Sequence, residues 1–385
     1  MKIKKSFFWL LVFFILINII SLITIKVKTG ENIFNSTKYL EKKNTYFIGE
    51  QVRRYMHPFI GQIDLNNKLD EENNITDEFL FYDIFETVSS NTNQELKILV
   101  LGGSVALNLS KNSDENNGKN ILARNLSEVF PNKKLTIYNA SLKAAKQPQQ
   151  LFKLYYLYLL NYRFDIVINF DGPLELAHPI VKNLPLKEEL IYPRRYSQEI
   201  AGMSKNFACI KNSNNLVKKN SFVPIIELYS LYKIKSCIDS LNVKNTPSFW
   251  KEKTKYVQRS EEENINRSLK IWQNSSLQMY NFSKLNNFFY LHVIIPNQYL
   301  KDSKILSDEE KEQFFGYEYQ FVIEKYYEKF NFDNLKIKNS LDLKYVFKNI
   351  EKTTYRDKCC RYNDFGVEII SKKIAKYLKS NFIKQ

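Results

Sequence analysis

Apolar residues fall into three regimes along this chain. Residues 7–25, FFWLLVFFILINIISLITI, are nineteen consecutive positions without a charge, enough at about 1.5 Å per residue to cross a hydrocarbon layer of about 30 Å as a helix. Residues 29–95 are polar and Asn-rich, with little periodicity before Tyr46-Phe47-Ile48 and Tyr55-Met56-His57-Pro58-Phe59. They read as a spacer running into an ordered lead-in. From Leu96 onward the apolar positions alternate between strand and helix periods. Strands are predicted at residues 96–101, 134–139, 165–170 and 288–295, and helices at 120–130, 149–162 and 367–382.

Local chemistry supports these assignments. Pro148 precedes the second helix, where a missing N–H is harmless. Ser307-Asp308-Glu309-Glu310 offers a capping hydroxyl and acids for a first turn, and predicts a helix running to about residue 330. Buried strands alternating with helices require a parallel sheet, right-handed crossovers and helices on both faces. Between the third and fourth strands the pattern loosens into helical pieces, best at 222–240 and 261–282. This length suits an insertion over the C-terminal edge of the sheet. Trp250 and Trp272 within it are equally well placed for a core. The expected organisation is an anchor (1–28), a spacer and lead-in (29–95), a first part of the α/β domain (96–185), the insertion (186–284) and a second part (285–385).

Composition sharpens this in two places. Over 385 residues, 44% hydrophobic content with 25 Tyr and 28 Phe supplies ample material for a core, so the chain is not of disordered composition. The net charge of +16 comes from lysines scattered among acids and asparagines. No basic stripe interleaved with aromatics is present, so nucleic acid is not an expected partner, whereas anionic polysaccharide or a lipid surface is.

Lys2, Lys4 and Lys5 before the apolar run favour an inside N-terminus, although Lys26 and Lys28 weaken the asymmetry. No small-x-small cleavage pattern follows. The run therefore reads as an uncleaved, single-pass signal anchor with the bulk of the chain extracytoplasmic, periplasmic or on the cell surface. Cys209, Cys237, Cys359 and Cys360 are compatible with disulfides there. Four cysteines allow three connectivities. Adjacent Cys359 and Cys360 make a poor pair for each other, so a bridge from one of them to the 209/237 region fits the sequence, which does not rank the three connectivities. No metal-ligand spacing occurs, and no cofactor is expected.

The stretch with chemical promise is Leu96-Lys97-Ile98-Leu99-Val100-Leu101-Gly102-Gly103-Ser104-Val105-Ala106. A buried strand that stops at two glycines and presents a serine can display a nucleophile at the C-terminal edge of a parallel sheet, where open α/β folds place their ligands. The same residues are also ordinary turn chemistry.

This turn resembles the first block of the SGNH/GDSL hydrolase superfamily, in a variant reading Gly-Gly-Ser, and three later stretches resemble its remaining blocks. The resemblance covers roughly residues 96–185 and 285–382. It implies a flavodoxin-like, three-layer fold and a serine esterase or acyltransferase chemistry acting on carbohydrate, with Ser104 as nucleophile and Asp357 as the acid of the family's acid–base pair, although Asp357 and Arg361 stand four residues apart where the family's D-x-x-H spacing is three. His57-Pro58-Phe59-Ile60-Gly61, Lys146-Gln147-Pro148-Gln149-Gln150 and Asp357-Lys358-Cys359-Cys360 are similar to a membrane-anchored branch of that superfamily.

The working positions, however, are degenerate. No glycine remains in the second block, where the family's backbone donor position falls at Ser141, and non-glycine residues resist some of the conformations glycine permits. The family's oxyanion asparagine is Leu174, and its histidine is Arg361. A guanidinium stays protonated and cannot accept the serine proton. His178 is a candidate replacement base near the end of the third strand. His292, inside FFYLHVII, reads as a core histidine.

Two functions follow from these residues. One is a catalytically impaired relative that binds a glycan, an acyl ligand or a partner protein, with Arg361 as an anion contact. The other is a working esterase or acyltransferase on cell-surface or exported carbohydrate, using Ser104 with a non-standard base.

Overall fold

The computed structural model describes residues 80–87, 94–110, 120–194, 259–314, 316–333 and 335–383, together with 55–57, 60–63, Tyr196 and six positions between 7 and 16. The chain divides into two units, Met1–Arg53 with Ser197–Lys255, and Arg54–Tyr196 with Tyr256–Gln385. In the first unit, Phe7, Phe8, Trp9, Val12, Phe13 and Leu16 are helical. Among the described residues no helix is long and apolar enough to cross a membrane, and most of the apolar run at 7–25 lies outside them. The expected helix at 222–240, Trp250, Cys209 and Cys237 also lie outside the described residues.

The second unit opens with a hairpin of β1 (Tyr55–His57) and β2 (Gly61–Ile63). A six-stranded, mostly parallel sheet follows, built from β3 (Asp83–Glu86), β4 (Glu95–Gly102), β5 (Lys134–Asn139), β6 (Ile166–Asp171), β7 (Phe289–Ile294) and β8 (Ser340–Asp342). Their spatial order is β3-β5-β4-β6-β7-β8, and only β3 runs antiparallel. The five parallel strands, taken in chain order, lie 2-1-3-4-5, which is the flavodoxin-like arrangement. β6 and β7 are buried along their whole length, as the unbroken apolar runs required.

The helices are α1 (Ser104–Ser110), α2 (Ile121–Val129), α3 (Gln149–Leu159), α4 (Leu174–Ala177), α5 (Glu261–Asn286), α6 (Asp308–Gln313), α7 (Gln320–Tyr326) and α8 (Asp364–Asn381). α2 and α8 pack together; Arg124 and Asn125 both bond to Glu368 across that contact. Their apolar faces join Ile98, Val100, Ile168 and Leu291 in the main core. α3 meets α5 through Tyr155 and Tyr158, whose rings contact Phe282. Trp272 of α5 is 1% exposed, which places it in the core.

Most predicted elements fall where the periodicity put them. The capping serine at Ser307 is present, with Glu310 closing the reciprocal bond. The helix it starts is short, in contrast to the expectation of one helix to about 330. It ends at Gln313 because Phe314 turns into the core and Gly316 adopts φ +77°, and α7 begins afresh. Four short strands were not anticipated, the β1–β2 hairpin within the lead-in and the two at the edges of the sheet. β3 pairs on the edge of β5 from within the polar 29–95 stretch, and β8 is only three residues long.

Candidate active site

In this strand order the sheet reverses direction of growth between β4 and β6, and an open α/β fold has its natural crevice outside the carboxyl ends of those two strands. Gly102 pairs with Phe170 there. The chain leaves β4 through Gly102 at φ +147°. A Cβ at Gly102 would stand 2.5 Å from Ala106 Cβ and 2.7 Å from the Phe170 carbonyl oxygen. Ser104 then opens α1, half-buried.

The second block follows β5 and wraps this turn. Leu142 N–H donates to the Gly102 carbonyl at 3.0 Å. The Ala145 carbonyl oxygen lies 3.1 Å, and Leu174 Cδ1 3.9 Å, from where a Cβ at Gly103 would be. Leu174, at the start of α4, therefore packs beside the serine turn with no hydrogen-bond donor to offer. Ser141 is buried, and its backbone N–H donates to Asn139 Oδ1 at 3.1 Å. That donor is occupied by its own loop. In the same loop Ala144 takes φ +67°, a left-handed conformation that glycine adopts more readily.

His178 is buried, its Nδ1 has no hydrogen-bond partner among the described residues, and its ring stands edge-on to Tyr319 at 5.3 Å. Burial, followed by the charges of Arg194, Lys146 and Lys182, pushes its imidazolium well below the ordinary range.

The 357–362 loop meets α1 directly. Tyr362 N–H donates to Asn108 Oδ1 at 3.1 Å, both residues being buried. Asn108 is four residues after Ser104, one helical turn along the same face. The serine turn and the loop thus share one helix.

Arg361 Nε donates to Asp357 Oδ2, while Asp357 Oδ1 accepts the backbone N–H groups of Cys359, Cys360 and Arg361 at 2.9, 3.1 and 3.3 Å. Burial raises the Asp357 carboxyl, but the Cys360 N–H and the Arg361 charge outweigh it and hold the group below the usual carboxylate range. Asp357 and Arg361 thus form an ion pair with each other. No hydrogen bond to the Ser104 hydroxyl is present among the described residues.

Beneath the turn lies a buried polar network that sequence reasoning only touched. Asp171 Oδ2 accepts from Trp272 Nε1 at 2.9 Å and meets His292 Nε2 at 2.8 Å. His292 is fully buried, in keeping with a core histidine. Glu175 Oε2 accepts the Gln147 N–H at 2.6 Å, and Oε1 accepts from Gln150 at 3.2 Å. Burial, then the neighbouring Asp171 charge, pushes the Glu175 carboxyl well up. Lys146 is buried too, its ammonium bonded to the Leu190 carbonyl and lowered by burial to about 8. The available signal was two acids flanking Gly-Pro-Leu at the end of a fully apolar strand.

No family model and no curated protein matches this chain. Among solved structures it is similar to one described as a GDSL-like lipase from Parabacteroides merdae, at 10% identity over 77% of this chain and 100% of that one, with a TM-score of 0.29. That score carries no argument. What the coordinates define is the class: an α/β protein with a flavodoxin-like parallel sheet and a serine turn at its switch point. Among the described residues no group of His, Cys, Asp and Glu is arranged to hold a metal ion.

Proposed function

We propose that this chain is a membrane-anchored, extracytoplasmic SGNH/GDSL-like protein whose ester-cleaving chemistry is impaired and which uses the switch-point crevice to bind a glycan, an acyl ligand or a partner protein. The observation that carries the reading is the Asp357–Arg361 ion pair, set on a loop tied to the serine-bearing helix through Tyr362 and Asn108. Ser104 faces no proton acceptor among these groups, and without one a serine hydroxyl is a weak nucleophile near neutral pH. Leu174 and the engaged Ser141 N–H remove two donors for an oxyanion, each such loss costing about 10²–10³ in turnover. Anchoring by residues 7–25 belongs to the same proposal, resting on the length and apolarity of that run.

The competing reading is an active esterase or acyltransferase in which Ser104 uses a non-standard base, His178 being the candidate. Its buried ring, whose protonated form burial disfavours, makes that base a weak one. Hydrolysis of p-nitrophenyl acetate by the full-length protein, wild type against Ser104→Ala, separates the two. The impaired reading expects equal rates. Turnover lost in Ser104→Ala overturns it and establishes the esterase.

A further inference from the structure

Cys359 and Cys360 are neighbours in sequence, and adjacency argues against pairing. Successive Cα atoms across a trans peptide are about 3.8 Å apart, short of the usual separation of about 4.4–6.8 Å for bridged cysteines. The structure nevertheless brings the two Sγ atoms to 2.7 Å. Three features of the fold hold them there. Asp357 Oδ1 gathers the N–H groups of both cysteines. Tyr299 Oη donates to the Lys358 carbonyl at 2.6 Å, and Asn297 Nδ2 to the Cys359 carbonyl at 3.4 Å, fixing the backbone on either side. Tyr317 Oη donates to Cys359 Sγ at 3.0 Å.

The two thiols are not equivalent. Cys359 is half-buried and Cys360 is fully buried. Hydrogen bonds from Cys360 and, after the opposing effect of burial, from Tyr317 hold the Cys359 thiol below its ordinary range. The bond to Cys359, together with burial, pushes Cys360 well up. The less buried cysteine, its thiol held low, beside a fully buried second one is the arrangement of an attacking and a resolving cysteine.

We infer that Cys359 and Cys360 form a vicinal thiol–disulfide exchange site whose co-substrate is an organic disulfide. Cys359 thiolate attacks one sulfur of R–S–S–R, forming Cys359–S–S–R as the S–S bond of the co-substrate breaks and its electron pair leaves on R–S⁻. Cys360 gives its proton to solvent and attacks Cys359 Sγ, expelling the second thiolate and closing an eight-membered ring. The protein dithiol is oxidised by two electrons, the organic disulfide is reduced by the same two, and the two protons released by the cysteines complete two molecules of R–SH. A ring bridging such close Cα atoms is strained, and strained disulfides are readily reduced again. The site therefore cycles.

The test uses the full-length chain carrying Cys209→Ser and Cys237→Ser, reduced and then treated with 4,4′-dithiodipyridine. The expected result is release of two thiopyridones per chain with no adduct retained, a chain lighter by two hydrogens, and full reversal by a phosphine. Adding Cys360→Ser should give one thiopyridone and a stable adduct, and adding Cys359→Ser should slow the reaction by about tenfold or more. Two retained adducts, or no reaction while the denatured chain titrates both thiols, would overturn the inference. Should the background substitutions prevent folding, the peptide spanning 356–362 from the treated wild-type chain gives the same answer: a closed ring supports the site, and separately modified or unmodified cysteines refute it.

Discussion

Replacing Gly102 by alanine probes the geometry on which the candidate site rests. Two effects act together at this position. An L-residue held in a backbone region that only glycine occupies readily costs about 1–3 kcal/mol. The added Cβ would also sit 2.5 Å from Ala106 Cβ and 2.7 Å from the Phe170 carbonyl oxygen, and overpacking of this kind costs a further ~1–3 kcal/mol. Neither neighbour is the movable end of a long side chain. One belongs to α1 and the other to β6, so relief means pulling the serine helix off the sheet. Gly316→Ala supplies the comparison, because Gly316 also has positive φ, +77°, but open space around it. There only the conformational cost of about 1–2 kcal/mol applies. Urea unfolding of the full-length protein should therefore rank wild type above Gly316→Ala, and Gly316→Ala above Gly102→Ala by about 1–3 kcal/mol. If Gly102→Ala unfolds at the same urea concentration as Gly316→Ala, the strand–turn–helix geometry around Ser104 is wrong.

Three further outcomes are expected. Asn108→Leu leaves the buried Tyr362 N–H without its acceptor, and should lower stability by about 1–3 kcal/mol while increasing proteolytic cleavage within residues 357–362. Lys153 is buried in α3, and burial brings its ammonium down from 10.5 to about 7. A base whose folded pKa is depressed binds fewer protons folded than unfolded between the two pKa values, so its penalty is full below about pH 7 and fades as pH rises toward 10.5. Lys153→Met should therefore be the more stable protein at pH 7 by on the order of a few kcal/mol, with a difference that shrinks by pH 9.5 in paired urea titrations. Glu310 accepts the N–H groups of Ser307, Thr354 and Tyr355 and pairs with Lys304, both side chains fully buried. Burial raises its carboxyl, but those bonds outweigh it and the net shift is downward. Its contribution is present above the unfolded carboxylate pKa and lost as pH falls through the folded one. Glu310→Gln should cost about 3–5 kcal/mol at neutral pH and flatten the acid limb of the stability curve.

Much of the fold was legible because its strands are buried on both faces. Runs such as Asp165-Ile166-Val167-Ile168-Asn169-Phe170 admit few other readings, and the helices between them carry clear capping and proline signals. The two edge strands escaped for the converse reason. β3 and β8 are short and bury little, so their sequences carry no pattern strong enough to separate them from loop. The break between α6 and α7 is tertiary in origin, since Phe314 turns into a core that lies far away in sequence. The serine turn was legible through its two glycines and the apolar run before them. Its surroundings were less so. That Ser141 spends its N–H on Asn139, that Asn108 catches the Tyr362 N–H, and that Cys359 and Cys360 touch are facts of loop geometry, which residue identity at those positions does not encode.

The account holds that the scaffold at the switch point is intact and that two side chains, Leu174 and Arg361, stand where a donor and a proton acceptor belong. Its most direct test is the double substitution Leu174→Asn with Arg361→His in the full-length protein, assayed on p-nitrophenyl acetate beside the same variant carrying Ser104→Ala. The account predicts turnover at least about 10²-fold above wild type that disappears with the serine. A double variant that unfolds like the wild type yet shows no serine-dependent gain would contradict it.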